Sequence, residues 1–131
     1  MGGQDMIYEE LYDEFIKLFP EDKGFFREKE KETGAEMGDG MHIMFSFVVC
    51  PFILKIADED PQKTQRAFDF IEQMELDEDD MVANVAEVTI LENVMTDENG
   101  GMKKFGKFLG EESLKTVKHL SQFFKIAGIS E

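Results

Sequence analysis

The feature that most constrains the fold is an apolar run of 17 residues, Met41 to Ala57, near the middle of the chain. A bilayer-spanning helix needs roughly 20 such residues. We therefore expect a buried segment of a soluble domain rather than a membrane span. Four residues interrupt the run: His42, Ser46, Pro51 and Lys55.

Propensity and length favour different structures for this run. Its phenylalanines and valines favour a strand, and periodicity does not separate a buried strand from a buried helix. The run is longer than an ordinary strand, so we predict a central helix. Pro51 would then remove the backbone hydrogen bond to the carbonyl of Phe47 and kink the axis. The alternative is a strand that ends near Cys50, which would make the fold α+β.

The remaining apolar residues recur at spacings of three and four, which is typical of helices. Asp5 is a candidate cap for a first helix that ends at Pro20, and residues 21–32 are predicted to form a short helix or an ordered loop. Asp60 and Pro61 form a cap followed by proline at the first helical position. The helix that follows has one apolar stripe, formed by Ala67, Phe68, Ile71 and Met74.

Two further helices are predicted in the second half of the chain. Asp79 or Asp80 caps the first, whose inward residues are expected to be Met81, Val82, Val85, Ala86, Thr89 and Ile90. The last helix is expected to bury Leu114, Val117, Leu120, Phe124 and Ala127 and to end at Gly128. Together these elements predict one all-α domain over residues 1–131. We expect an irregular antiparallel bundle, or a short helical-repeat-like solenoid, of about five to six helices.

Composition narrows the classes of function. The chain has 29 acidic and 14 basic residues, a net charge of −15, which disfavours nucleic acid and anionic membranes as ligands. A hydrophobic fraction of 42% with 13 phenylalanines argues against a disordered acidic tail. One cysteine excludes a disulfide scaffold, and residues 1–10 lack the features of a secretory signal. We therefore expect a cytoplasmic protein.

Motifs for catalysis or metal binding are missing from the sequence. EF-hand registers that start at Asp77 or Asp97 lack the required ligands, and neither histidine has a metal-ligand partner at helical spacing. We predict no enzyme activity, no cofactor and no metal site. His42 is expected to be a partly buried hydrogen-bonding residue, Cys50 a small core residue and His119 a surface residue.

A small enzyme is the weakest of the alternatives left open. It would use His42, Cys50 or the acids Glu87 and Glu92, since acids on an apolar helix can have displaced pKa values. Glu87 and Glu92 are five positions apart and are not expected to share one helix face well.

Acidic and basic residues are separated along the chain. Residues 67–102 contain 11 acids and no lysine or arginine, whereas residues 103–125 contain six bases and two acids. One interpretation is a solvated surface with acids at helix N-termini. The other interpretation is a face that attracts a cationic partner. Acids alone repel one another on an exposed face, whereas mixed charges would stabilise that face through ion pairs. The predicted partner-binding residues are Glu72, Glu75, Asp77, Asp79, Asp80 and Glu87.

Residues 67–94 and 104–124 resemble an uncharacterised bacterial family of small acidic helical domains, a domain of unknown function. The shared pattern includes the helix Phe68-Asp69-Phe70-Ile71-Glu72. The resemblance covers most of the chain from about Met41 and implies that the apolar run is helical. It also implies that Phe70, Glu72, Asn84, Glu87, Leu91 and Glu92 occupy positions typical of the family.

In size and acidity, such domains are similar to bacterial immunity proteins that neutralise a cognate toxin. We therefore expect a non-catalytic, acidic protein-binding domain of the immunity type, with a basic, nuclease-type toxin as its partner. The alternative is a structural or regulatory helical adaptor, or a homodimer that uses an apolar face near Phe105 and Phe108. The oligomeric state is left open.

Overall fold

The computed structural model describes residues 6–128, and every regular element in that range is helical. The helices are α1 (residues 8–17), α2 (residues 20–33), α3 (Met41–Glu59), α4 (Pro61–Leu76), α5 (residues 80–96), α6 (residues 102–108) and α7 (Glu111–Leu120). The all-α, bundle-like prediction is confirmed. The described residues form seven helices rather than five or six, and α6 is the segment for which no helix was predicted.

The apolar run forms the central helix α3, so the strand alternative is wrong. Residues Phe45–Val49 form a π-helical turn, in which the N–H of Cys50 donates to the carbonyl of Phe45. The wide turn ends directly before Pro51, where a helix must accommodate both a missing amide hydrogen and the proline ring. The helix continues through the proline to Glu59.

By length and composition alone, α3 is the one helix in residues 6–128 that could cross a membrane. Half of its most apolar window is buried inside the bundle. The buried core helix of a soluble protein passes the same test of length and hydropathy.

An aromatic cluster joins α3 to the first two helices and to α4. The ring of Phe15 is fully buried at its centre. Its ring neighbours, at centroid distances of 5.2–6.5 Å, are Phe19, Phe26, Phe45, Phe52 and Phe70. Most of these pairs meet edge to face, which is a favourable geometry for aromatic rings. The cluster therefore stabilises the N-terminal half of the bundle.

A second aromatic contact fastens α6 to α4. The ring of Phe68 lies 5.2 Å from that of Phe105 and 6.1 Å from that of Phe108. Both α6 rings are buried in the core. Phe105 and Phe108 therefore do not form the apolar face that the homodimer alternative requires, because α6 folds back and uses these rings for its own packing.

Several helix boundaries follow the predicted capping signals. Asp60 accepts hydrogen bonds from the N–H groups of Gln62 and Lys63, and Asp79 accepts one from the N–H of Met81. Asp60 and Asp79 are therefore confirmed as caps of α4 and α5. The predicted cap Asp5 lies outside the described residues.

Three predicted inward positions are exposed instead, so these predictions are wrong. Met81 is 54% exposed, because it lies in the first turn of α5 at the rim of the bundle. The last helix ends at Leu120 rather than Gly128, so Phe124 and Ala127 do not continue its buried face. The chain turns back instead, and the carbonyl of Ala127 accepts a hydrogen bond from the N–H of Met102 at 2.8 Å.

Replacing Phe15 by alanine is expected to lower the free energy of unfolding by about 3–5 kcal/mol, because the lost ring leaves a cavity inside the aromatic cluster. Urea denaturation followed by circular dichroism measures the change. Phe123→Ala is the matched control, since this ring is 68% exposed and its loss is expected to cost less than about 0.5 kcal/mol. Equal effects of the two substitutions would contradict the described packing.

Candidate partner-binding surface

Glu72 is the residue of the predicted set that is most fully engaged within the fold. Its carboxylate accepts hydrogen bonds from the N–H of Glu112 (2.8 Å), the N–H of Ser113 (2.9 Å) and the hydroxyl of Ser113 (2.8 Å). A carboxylate at this position satisfies free amide donors and complements the helix dipole. Glu72 on α4 therefore caps the N-terminus of α7.

Gly110 permits the close approach of Glu72 to α7. A Cβ atom at position 110 would lie 2.4 Å from the carboxyl carbon of Glu72. A larger residue would therefore have to displace the capping carboxylate. The role of Gly110 is therefore to leave space for a side chain from α4.

Glu75, one turn further along α4, lies where three helices meet. Its carboxyl group faces Glu87 on α5 and the hydroxyl of Thr116 on α7. Burial raises the pKa of Glu75 to about 8, and the neighbouring carboxyls of Glu87 and Glu72 act in the same direction. Its Oε2 atom is buried with no hydrogen-bond partner in the described part of the chain. The raised pKa favours the protonated form of Glu75, which therefore contributes less negative charge than an exposed glutamate.

Asp77 and Asp79 organise the loop between α4 and α5. Asp77 accepts hydrogen bonds from the N–H of Met6 and the N–H of Asp79, both at 2.9 Å. Asp79 in turn caps α5. Asp80, by contrast, is exposed in the first turn of that helix. Of the three aspartates predicted to bind a partner, only Asp80 is thus free of a loop or capping hydrogen bond in the described structure.

Within residues 6–128, the acids of the acidic stretch (residues 67–102) form no salt bridge with a lysine or an arginine. Nine salt bridges occur within residues 6–128, and none of them includes any of the 11 acids between positions 67 and 102. Lys115 on α7 faces this region, but its ammonium group pairs with Glu112 at 3.1 Å. Within the described structure, the sequence separation of charge therefore persists as a surface without ion pairs.

Two of these acids line an open groove of about 470 Å³, which we call the α5–α7 groove. Glu87 and Glu92 line its α5 side. Its other lining residues come from α5, α7 and the turn after α7: Val88, Lys115, Thr116, His119, Leu120, Phe123 and Phe124. The groove therefore combines carboxylates with apolar and aromatic surface.

A π-helical turn lies between the two acids, and both line the same groove. Residues Val85–Leu91 of α5 are π-helical, and the N–H of Glu92 donates to the carbonyl of Glu87, five residues earlier. A wider turn aligns residues that are five apart, whereas an ordinary α-helix aligns residues three or four apart. The prediction that Glu87 and Glu92 would not share a face well is therefore wrong.

A polar seam behind the groove joins the π turns of α5 and α3. Nδ1 of His42 and Oγ1 of Thr89 are 2.5 Å apart, and the amide of Asn93 donates to the hydroxyl of Ser46 at 3.5 Å. The thiol of Cys50 contacts the carbonyl of Thr89 at 3.8 Å. These contacts fix α5 against α3, and His42 is the partly buried hydrogen-bonding residue that was predicted.

The seam does not create an activated nucleophile. Burial raises the pKa of the Cys50 thiol to about 12, so the thiol stays protonated at neutral pH. Within residues 6–128, no group of three or more His, Cys, Asp or Glu residues is placed to hold a metal ion. What the described arrangement offers is a groove lined by two carboxylates, Glu87 and Glu92, that form no salt bridge within residues 6–128.

The sequence interpretation missed the apolar half of the groove. Phe123 and Phe124 were expected to continue a helix, with Phe124 in the core, yet they are 68% and 40% exposed. Val88 lies at 47% exposure between the inward positions of α5. The sequence does contain a signal for Val88: it lies one residue outside the predicted buried stripe of its helix, which indicates an exposed side chain.

Replacing Glu72 by alanine is expected to lower the free energy of unfolding by about 1–3 kcal/mol, because the first amide groups of α7 lose their acceptor. Chemical denaturation measures the loss. Glu78→Ala is the control, since Glu78 is exposed and makes no hydrogen bond in the described structure. A Glu72→Ala variant as stable as the control would show that the cap contributes nothing.

The Glu75 carboxyl is expected to make stability depend on pH. Between its ordinary pKa of 4.5 and the raised value of about 8, the folded chain holds more protons than the unfolded chain. The free energy of unfolding due to this group therefore falls as pH rises through that window. Glu75→Gln removes the titrating group and should gain stability relative to the parent as pH rises.

Thermal denaturation of the parent and of Glu75→Gln, from about pH 5 to about pH 9, measures this difference. Glu78→Gln serves as the control, because it removes an exposed carboxyl from the adjacent loop. Parallel curves for the parent and Glu75→Gln would contradict a raised pKa at Glu75.

The comparisons with known proteins concern the family rather than the function. A family model described as a domain of unknown function (DUF7674) matches residues 12–125. The match begins in α1, earlier than the expected start near Met41, and it includes the whole α5–α7 groove. No curated protein and no solved structure matches the chain. The chain therefore belongs to the domain-of-unknown-function family DUF7674.

Proposed function

We propose that this chain is a non-catalytic, cytoplasmic binding domain for a basic protein, of the immunity type, and that its partner is a nuclease-type toxin. The observation that carries the proposal is the acidic stretch, whose 11 carboxyl groups form no salt bridge within residues 6–128. An acidic surface without salt bridges is stabilised electrostatically when a cationic partner covers it.

The carboxylates available to a partner differ in part from those expected. Glu72, Asp77 and Asp79 are engaged as caps or loop acceptors, and burial raises the pKa of Glu75. The proposed contact set keeps two of the expected residues and adds two others that lie nearby in the chain or in the groove. It consists of Glu78, Asp80, Glu87 and Glu92.

Long-range attraction is the main physical effect that this surface supplies. A net charge of −15 on 131 residues steers a basic protein toward the chain and speeds the encounter. The close contacts then determine how long the complex lasts. The homodimer version of the alternative role loses the Phe105 and Phe108 face on which it was based, because both rings are buried.

Charge reversal at two exposed acids tests the proposal. Glu78→Lys combined with Asp80→Lys should slow association with a basic nuclease encoded beside this gene by about tenfold or more at low salt. The fold should be unchanged, since neither side chain is buried or hydrogen-bonded in the described structure. Surface plasmon resonance at low and high salt measures the rates.

The matched control is Glu28→Lys combined with Glu36→Lys, which makes the same change in net charge at exposed positions in and after α2. We expect this control to slow association less than the Glu78 and Asp80 reversal. Equal slowing by both variants would show that the association rate depends on net charge and not on the positions of Glu78 and Asp80. Unchanged binding after reversal of Glu78 and Asp80 would rule out the acidic surface as the contact.

A further inference from the structure

We propose that the α5–α7 groove binds an amphipathic segment of the basic partner, in which apolar side chains alternate with lysine or arginine. The apolar side chains would contact Val88, Phe123 and Phe124, and the cations would pair with Glu87 and Glu92. This inference rests on the proposed function, because it names the part of the partner that the domain recognises.

The apolar contribution comes from side chains that the fold leaves uncovered. Val88, Phe123 and Phe124 are three of the seven large hydrophobic residues that are well exposed in the described structure, and all three line this groove. The ring of Phe123 meets that of His119 at 5.4 Å, nearly edge to face. Clustered exposed apolar residues mark interaction sites, whereas scattered ones need no explanation.

The ionic contribution comes from the two carboxylates on α5. Neither Glu87 nor Glu92 forms a salt bridge in the described structure, and the nearest lysine in the groove, Lys115, pairs with Glu112. A lysine or arginine in the groove would gain charge-assisted hydrogen bonds from these acids. The adjacent phenylalanine faces add a favourable environment for a cation.

Charge complementarity selects this occupant over a second copy of the chain. In a symmetric dimer the same patch meets itself, so each copy would bring two carboxylates, Glu87 and Glu92, and one lysine, Lys115, and the excess of negative charge would oppose association. A purely acidic or purely apolar segment would leave Glu87 and Glu92 without partners as they lose water, which is costly. A cationic amphipathic segment satisfies both halves of the groove.

The test is a titration of the full, isotopically labelled chain with three synthetic peptides, followed by NMR. One peptide is an amphipathic helix of leucine and lysine. The second keeps the lysines but has serine for leucine, and the third keeps the leucines but has glutamate for lysine. We expect the leucine–lysine peptide to bind most tightly and to shift the amide signals of Val88, Glu92 and Phe123.

Two variants locate the contact. Phe123→Ser and Glu92→Gln should each weaken binding of the leucine–lysine peptide by about fivefold or more. Phe47→Ser is the matched control, because Phe47 is also exposed but lies on α3 outside the groove. This control should bind the peptide as the parent does. Circular dichroism checks that all three variants remain folded.

The outcomes separate this inference from the proposed function. Equal binding of the two lysine peptides, with shifts confined to the loop near Glu78 and Asp80, would overturn the groove and leave the acidic surface as the contact. Equal binding of the leucine–glutamate peptide would overturn the ionic part of the inference. Failure of both lysine peptides to bind at low salt would overturn the inference and the proposed function together.

Discussion

The rest of the structure depends on the packing of α3 against α5. Both helices contain a π-helical turn, and these turns lie against each other, joined by the contact between His42 and Thr89. The turn in α3 precedes Pro51, and the turn in α5 aligns Glu87 with Glu92. A feature of the core thereby determines which carboxylates face the groove. π turns occur often at functional sites for this reason, since they change the residues that one face presents.

Carboxyl groups also hold the opposite wall of the groove in place. Glu72 caps the N-terminus of α7 from α4, and Glu75 meets Glu87 and Thr116 where α4, α5 and α7 converge. Side chains that would be counted as surface charge therefore position the helix that precedes the exposed phenylalanines. Stability and the shape of the groove are coupled through these acids.

In the proposed function, the acidic surface and the groove act at two successive stages of partner recognition. Unpaired carboxylates act at long range and accelerate the approach of a basic partner. Exposed phenylalanines act only at contact, through the apolar area that they remove from water. A partner that uses both the long-range attraction and the apolar contact must carry cationic and apolar side chains on one segment. This combination distinguishes a specific partner from any other basic protein, because net charge alone attracts all of them.

Local patterns in the sequence were sufficient for the fold class and for several boundaries. The apolar run predicted a central helix, and Asp60 with Asp79 predicted two caps, because capping and helical spacing involve residues only a few positions apart. The candidate site was only partly predictable. The tertiary structure alone placed Glu72 on the amide of Ser113, 41 positions away, buried the rings of α6 and exposed Phe124. It also aligned Glu87 with Glu92 through a π turn. These features arise from contacts between distant elements, and a carboxylate has the same appearance in a sequence whether it caps a neighbouring helix or faces water.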